Sequence, residues 1–327
     1  MRFTKTLLTA VLLGVSIFSF QSTAWADTFE QQFAQGSEAF NKGDYQTAFK
    51  LFQSLAEQGH SRAQYLVGSM YDEGKGIKKD DFEAVKWYRK AAEQGMIDAQ
   101  SRLGVIYGFG WGIKKDDFEA VKWLQKAAEQ GDSFSQYLLA NRYERGLGVK
   151  QDDFEAVKWY RKAAEQGLSL AQNQLALMYK EGRVVKQDDF EAVKWYRKAA
   201  EEGLSEAQHH LALMYKEGRG VKQDDFEAVK WLQKAAQGLN PKAQYDLAIM
   251  FKEGRGVKQD NFEAVKWFQK AAEYGMPDAL LGLGIMYEEG KGVRQDRVKA
   301  KELFGKACDN RLQEGCEYYS KLNSEGL

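Results

Sequence analysis

The sequence predicts an all-α solenoid of stacked helix pairs that repeat every 36 residues. Trp87, Trp123, Trp159, Trp195, Trp231 and Trp267 stand at that constant interval. The block Asp81-Phe82-Glu83-Ala84-Val85-Lys86-Trp87 returns at Asp117, Asp153, Asp189 and Asp225, and with one change at Asn261. A fixed period of this length with helical patterning marks an architecture whose units bury their apolar faces only by stacking. The composition agrees: 327 residues contain two prolines and 29% charged side chains, a folded, helix-permissive mixture.

The chain opens on a leader. Arg2 and Lys5 precede an apolar run from Leu7 to Phe20, and Ala24-Trp25-Ala26 gives a small-x-small cleavage site. This is the layout of a secretory signal peptide over residues 1–26, cut after Ala26. The run falls short of the ~20 apolar residues that span a bilayer. The expectation is a periplasmic or secreted protein with no stable membrane insertion after cleavage.

Helices follow in pairs. Phe29–Phe40 and Tyr45–Ala56 flank a tight turn, Asn41-Lys42-Gly43-Asp44. In the next unit helix A runs from Ala63 toward Asp72, with Ala63, Val67, Met70 and Tyr71 on one stripe. Helix B runs from Asp81 to Glu93. Phe82, Val85, Tyr88 and Ala92 form one apolar stripe on it, and Ala84, Trp87 and Ala91 a second, as a helix between neighbours requires. Asp80 with Glu83 predicts a capping box, repeated through Asp260 and Glu263. Gly74 and Gly76 mark the turn between helices, and Gly95 and Gly131 follow helix B at the αL position. Pro241 and Pro277 fall in the first turn of helix A. A small column, Gly68, Gly104, Ala140, Ala176, Ala212, Ala248 and Gly284, lets helices approach closely, with the Trp column as filling. At the end, Asp296–Cys308 matches helix B with Leu303 in the Trp place, and Glu314–Leu322 begins a helix A without a partner.

Ala63-Gln64, Leu103-Gly104, Tyr71 with Glu73-Gly74-Lys75-Gly76, and Ala84-Val85-Lys86-Trp87-Tyr88-Arg89-Lys90-Ala91-Ala92-Glu93-Gln94-Gly95 together resemble the Sel-1-like repeat family, relatives of tetratricopeptide repeats. On that resemblance residues 27–60 form an N-terminal tetratricopeptide-like capping pair, 61–313 hold about seven repeats, and 314–327 are a C-terminal capping helix and tail. The resemblance implies a right-handed α/α superhelix used for protein–protein contact, in envelope complexes or host contact, with helix A lining the concave face. One departure stands out: Val184 replaces the loop glycine of Gly76, Gly112, Gly148, Gly220, Gly256 and Gly292. If that place needs positive φ, a β-branched residue there is strained.

Few residues carry chemistry. Lys and Arg balance Asp and Glu at 47 each, which argues against a nucleic-acid partner. No G-x-S-x-G, H-E-x-x-H or S-x-x-K occurs, and Gly68 to Lys75 misses the phosphate-loop spacing. Three histidines, of which His209-His210 are adjacent, give no evident metal set. The expectation is a non-enzyme with no cofactor and no metal. Cys308 and Cys316 occupy the repeat places of Ala272 and Leu280, whose faces meet across a short connection, so a disulfide is expected in an exported chain. Similar bridges mark cysteine-rich secreted members of the resembling family. The rival, a catalytic or metal thiol pair, has no adjacent histidine to support it.

Helix B is nearly constant between repeats, whereas helix A varies. One column reads Tyr65, Ser101, Tyr137, Asn173, His209, Tyr245, Leu281; its neighbour Leu66, Arg102, Leu138, Gln174, His210, Asp246, Gly282; a third Asp72, Gly108, Glu144, Lys180, Lys216, Lys252, Glu288. Tyr65, Arg102, Tyr137, Asn173, His209 and Tyr245 are therefore the candidate binding residues for a protein partner. Trp111, alone in its loop column, is a second anchor. The reading is an exported repeat scaffold. Its alternatives are a cell-wall or β-lactam-active enzyme of the cysteine-rich type and a carbohydrate-binding module.

Overall fold

The structure, a computed structural model, describes residues 28–326. The expected leader, with Arg2, Lys5 and the Ala24-Trp25-Ala26 site, lies outside the described residues. The described residues form seventeen helices and no strand. They divide into two compact units at Asp152/Asp153.

The first unit holds α1 (28–41), α2 (Tyr45–Glu57), α3 (Ser61–Glu73), α4 (Asp81–Glu93), α5 (Ile97–Phe109), α6 (Asp117–Glu129) and α7 (Ser133–Arg145). The second holds α8 (Asp153–Glu165), α9 (Ser169–Glu181), α10 (Asp189–Glu201), α11 (Ser205–Glu217), α12 (Asp225–Gln237), α13 (Pro241–Glu253), α14 (Asn261–Glu273), α15 (Pro277–Glu289), α16 (Arg297–Asp309) and α17 (Gln313–Ser324). From α3 onward the odd-numbered helices are helix A and the even-numbered helix B. From α2 to α7, and from α8 to α17, each helix packs on its chain neighbours.

Helix B starts where the aspartates place it. Asp80 Oδ1 accepts from the Phe82 and Glu83 amides at 3.0 Å each, and Asp116, Asp188 and Asp260 do the same. The expected box closes on one side only. The Asp80 amide donates to the Tyr71 carbonyl instead of to Glu83, tying the loop to helix A. Glu83 pairs with Lys86.

Val85, Trp87, Tyr88, Ala91 and Ala92 are buried as expected. Phe82 is not. It is 63% exposed, and Phe118, Phe154, Phe190, Phe226 and Phe262 are 60–77% exposed. The stripe is interrupted because position two of helix B stands over the loop end, beyond the neighbouring helices.

The Trp column also does a different job from that expected of it. A Cβ on Gly68 would sit 2.9 Å from Tyr88 Cδ1, one on Gly104 2.5 Å from Leu124 Cγ, and one on Gly284 2.5 Å from Phe304 Cε1. The small column thus seats the residue after the tryptophan. Trp87 packs with α2 and α3, and Trp123 with α4 and α5, so these two tryptophans close the seams between repeats of the first unit. Each also carries a lysine one turn on, from Lys90 over Trp87 at 3.9 Å to Lys270 over Trp267 at 4.2 Å.

A buried glutamine column ties each helix A to the helix B before it. Gln64 Nε2 donates to the Ala56 carbonyl at 3.1 Å, and Gln100, Gln136, Gln172, Gln208 and Gln244 repeat the bond eight residues back. It satisfies a carbonyl that the helix end leaves open. Cys308 and Cys316 stand at the same two places in the last turn, and they are joined as a disulfide with Cα atoms 4.6 Å apart. The covalent bond therefore replaces the glutamine tie at the chain's end.

Candidate functional site

The variable face of helix A is an interlocked surface. In the second unit two residues of the first variable column meet the second-column residue of the next repeat, 37 positions on. His209 Nε2 lies 2.7 Å from Asp246 Oδ2, and His210 Nδ1 lies 3.1 Å from Asn173 Oδ1. The asparagine oxygen only accepts, so His210 Nδ1–H is the donor and Nε2 keeps its lone pair at neutral pH. Lys216 Nζ stands 3.5 Å from Asp246 Oδ1, completing a carboxylate held by two bases.

The six candidates differ in what they offer. Tyr65 is half-buried, with its ring 5.4 Å from Tyr88. Arg102 pairs with Asp72, which also accepts from Tyr88 Oη at 3.3 Å. Tyr137 is half-buried beside Phe134, and Tyr245 is half-buried against Phe268 at 5.8 Å. Asn173 and His209 are buried and engaged within the chain, so neither presents a free polar edge. The structure brings Asn173 next to His210, and sets His209 on Asp246, the residue after Tyr245.

Burial, with His209, Lys180 and Lys242 nearby, pushes the His210 pKa down to about 4. Burial pushes the Tyr196 and Tyr88 hydroxyls up. Tyr196 is fully enclosed and its hydroxyl has no hydrogen-bond partner.

Sequence reasoning missed the ring partner of Trp111 and the exposure of the Phe row. In the first unit Trp111 stacks on Phe109 at 5.2 Å, both rings largely exposed, and Arg102 lies 5.5 Å from the Trp111 ring. Trp111 was legible as a lone loop aromatic, whereas Phe109 stands where the other repeats carry a charged residue, Arg145 or Glu, which was its signal. Members of the exposed Phe row wall clefts against the next loop. One of about 620 Å³ lies between Phe82, Trp87, Tyr107 and Ile113. Another of about 880 Å³ lies between Phe226, Phe251 and Val257. Among the described residues no His, Cys, Asp and Glu group could hold a metal ion, and no helix is long and apolar enough to cross a membrane.

Helix pairs of fixed length, a constant seam and a variable face define a repeat scaffold. The chain belongs to the Sel1 repeat family: the family pattern matches residues 36–60, 61–96, 97–132, 133–168, 169–204, 205–238, 241–275 and 277–311. A Sel1 repeat protein from Oxalobacter formigenes is similar at 35% identity and TM-score 0.73, covering 91% of this chain and 90% of that one. The protein c5321, a protective antigen of uropathogenic Escherichia coli with the same repeat fold, is 31% identical at TM-score 0.61, covering 94% of this chain and 74% of that one. Among curated proteins, the exopolysaccharide production negative regulator of Rhizobium leguminosarum bv. viciae is 35% identical over 52 residues, which is 16% of this chain and 20% of that protein. DAP3-binding cell death enhancer 1 of Rattus norvegicus is 44% identical over 50 residues, 15% of this chain and 10% of that protein. The chain thus spans a tenth to a fifth of these curated relatives.

Proposed function

We propose that this chain is an exported scaffold that holds another protein on its helix-A face, in an envelope complex or in contact with a host. The observation that carries the reading is the contrast between a near-constant helix B, which builds the stack, and a helix A whose exposed and half-buried residues change from repeat to repeat. A surface that varies on a fixed frame is what recognition of an irregular partner needs. The Trp111–Phe109–Arg102 group adds the residue types that dominate binding energy at interfaces.

The test is partner capture by the chain starting at Asp27, compared with Trp111→Ala and Tyr245→Ala, each checked for an unchanged helical melt. Loss of a protein held by the wild type supports the helix-A site. A second reading comes from the exposed Phe row: retention by both variants and loss with Phe190→Ser would move the site to the helix-B clefts. Capture of no protein would sink the scaffold reading and direct attention to glycans. Export is tested separately, by the N-terminal residue of the protein recovered outside the cytoplasm, expected to be Asp27.

A further inference from the structure

Two repeats of this chain carry the same four-residue arrangement with opposite chemistry. In the first unit it is Tyr65, Asp72, Tyr88 and Arg102. The Asp72 carboxylate accepts from Tyr88 Oη and pairs with Arg102. Exactly three repeats on, the places are held by Asn173, Lys180, Tyr196 and His210 in the second unit. The carboxylate is gone and a lysine stands in its place. Tyr196 Oη, the counterpart of the satisfied Tyr88 hydroxyl, is buried without a partner. Lys180 is half-buried and makes no ion pair within 4 Å among the described residues. A buried hydroxyl left unpaired is destabilising.

We infer that the Lys180–Tyr196–His210 cluster receives a carboxylate side chain of an acidic segment on the protein partner, in the place that Asp72 fills internally in the first unit. The inference rests on the helix-A reading above and adds the chemistry of the partner. The Asp72 side chain is 19% exposed in the first unit, and in the second Lys180 is half-buried at the corresponding place, over the enclosed Tyr196 ring. The carboxylate accepts from Tyr196 Oη–H and from Lys180 Nζ, as charge-assisted bonds. His210, whose ring lies 5.0 Å from that of Tyr196, takes up a proton to become a third donor.

The surrounding charges favour this. Lys180, Lys242 and His209 all act on His210 as bases. The nearest carboxylates, Glu181 and Glu206, are exposed and bond neither Tyr196 nor Lys180. Arg219 is committed to Asp189, at 2.7 Å. The following repeats lack the set among the described residues. Lys216 pairs with Asp246, and the places that correspond to Tyr196 in the next two repeats hold Leu232 and Phe268, which have no hydroxyl.

The experiment uses the chain from Asp27, a short fluorescein-labelled peptide of alternating Glu and Gly, and its Gln counterpart, followed by anisotropy. Lys180→Asp rebuilds the internal carboxylate of the first unit, and Tyr196→Phe removes only the hydroxyl at a place where Phe268 and Phe304 occur naturally. The wild type is expected to prefer the Glu peptide by about tenfold or more, the range of a charge-assisted pair. Lys180→Asp should lose that preference with no fall in melting temperature, and Tyr196→Phe should weaken it several-fold. The His210 ring resonances should show a titration midpoint raised from about 4 when the Glu peptide is bound. Equal affinity of the wild type for both peptides, or an undiminished preference in Lys180→Asp, overturns the inference. Neither outcome touches the helix-A reading, which the Trp111 and Tyr245 variants decide.

Discussion

Val184, Leu239 and Arg311 are the non-glycine residues with positive φ among the described residues, at 65°, 61° and 67°. Each stands where a sister repeat carries glycine: Gly220 for Val184, Gly203 for Leu239, Gly275 for Arg311. The expected strain at Val184 is therefore present, and it has a visible effect. A Cβ at Gly220 would run into the Asp189 carbonyl, so the loop there sits close and Arg219 reaches Asp189 at 2.7 Å. At Val184 the equivalent pair, Arg183 and Asp153, opens to 3.4 Å. Val184→Gly and Leu239→Gly should each stabilise by about 1 kcal/mol, the αL penalty less the entropy glycine adds to the unfolded chain. Denaturant midpoints check this, and a fall in either would show that the loop gains more from the side chain than it loses in strain. A second residue-scale defect is Gln172 Oε1, which is buried and unpaired. In the first unit Gln64 and Gln100 oxygens accept from Gln94 and Gln130 at 2.7 Å. The donor place for Gln172 is Glu202, whose carboxylate cannot donate. Glu202→Gln should therefore raise stability by about 1 kcal/mol, measured in the same way. His210 gives the pH dependence. Its folded pKa, about 4, lies below the ordinary value, so the fold favours the neutral ring. That contribution is whole above the unfolded pKa of about 6.5 and is lost as pH falls toward 4, up to about 3 kcal/mol. His210→Gln should flatten the stability profile between those limits, whereas an unchanged slope would place the effect elsewhere.

At the scale of the element, helix B carries two aromatic rows with opposite roles. The Trp row is buried from Trp87 to Trp231 and partly buried at Trp267, whereas the Phe row is exposed. Trp195→Ala should cost about 3–5 kcal/mol, as large aromatic deletions in cores do. Phe190→Ser should move stability by no more than about 0.5 kcal/mol. Comparable losses from both would mean that the Phe row is covered in solution. The two rows also show where the sequence stops being legible. Periodicity identified the helix pairs, their limits to within two residues at Ser61, and the Trp, Val and Ala burial, because each depends on local spacing. It assigned Phe82 to the core because a helical stripe says which face a residue is on, not whether a neighbour reaches that far along the helix. The candidate columns were legible as variable positions. Their pairing at an offset of 37 was not, since it depends on how successive helices A are staggered. Hence His209 and Asn173, chosen as polar contacts for a partner, turn out to be spent on Asp246 and His210.

At the scale of the whole molecule, the last described turn of the stack is tied differently from those before it. In a stacked array each repeat is stabilised by its neighbours, so the terminal helices have the least to hold them. In the second unit, α17 packs on α16 and α15. Its buried side chains are few, Leu322 chief among them. Every internal helix A is held at this point by a glutamine or, in α15, by Leu280, and α17 is held by Cys316. Closing the nine-residue loop between Cys308 and Cys316 is worth about 2.5 kcal/mol in the chain-entropy model. That exceeds the ~1 kcal/mol of a single hydrogen bond, which suits the place where stacking is weakest. Reduction should therefore loosen the end of the array locally. Amide exchange in α16 and α17 should accelerate by one to two orders of magnitude, following about 2.5 kcal/mol, while α9 to α12 keep their protection. Cys316→Gln, with Cys308→Ala, should recover part of that protection by restoring the glutamine tie to the helix-B carbonyl. Uniform acceleration across α9 to α17 on reduction would instead mean that the second unit unfolds as one cooperative body, with the disulfide setting the stability of all of it.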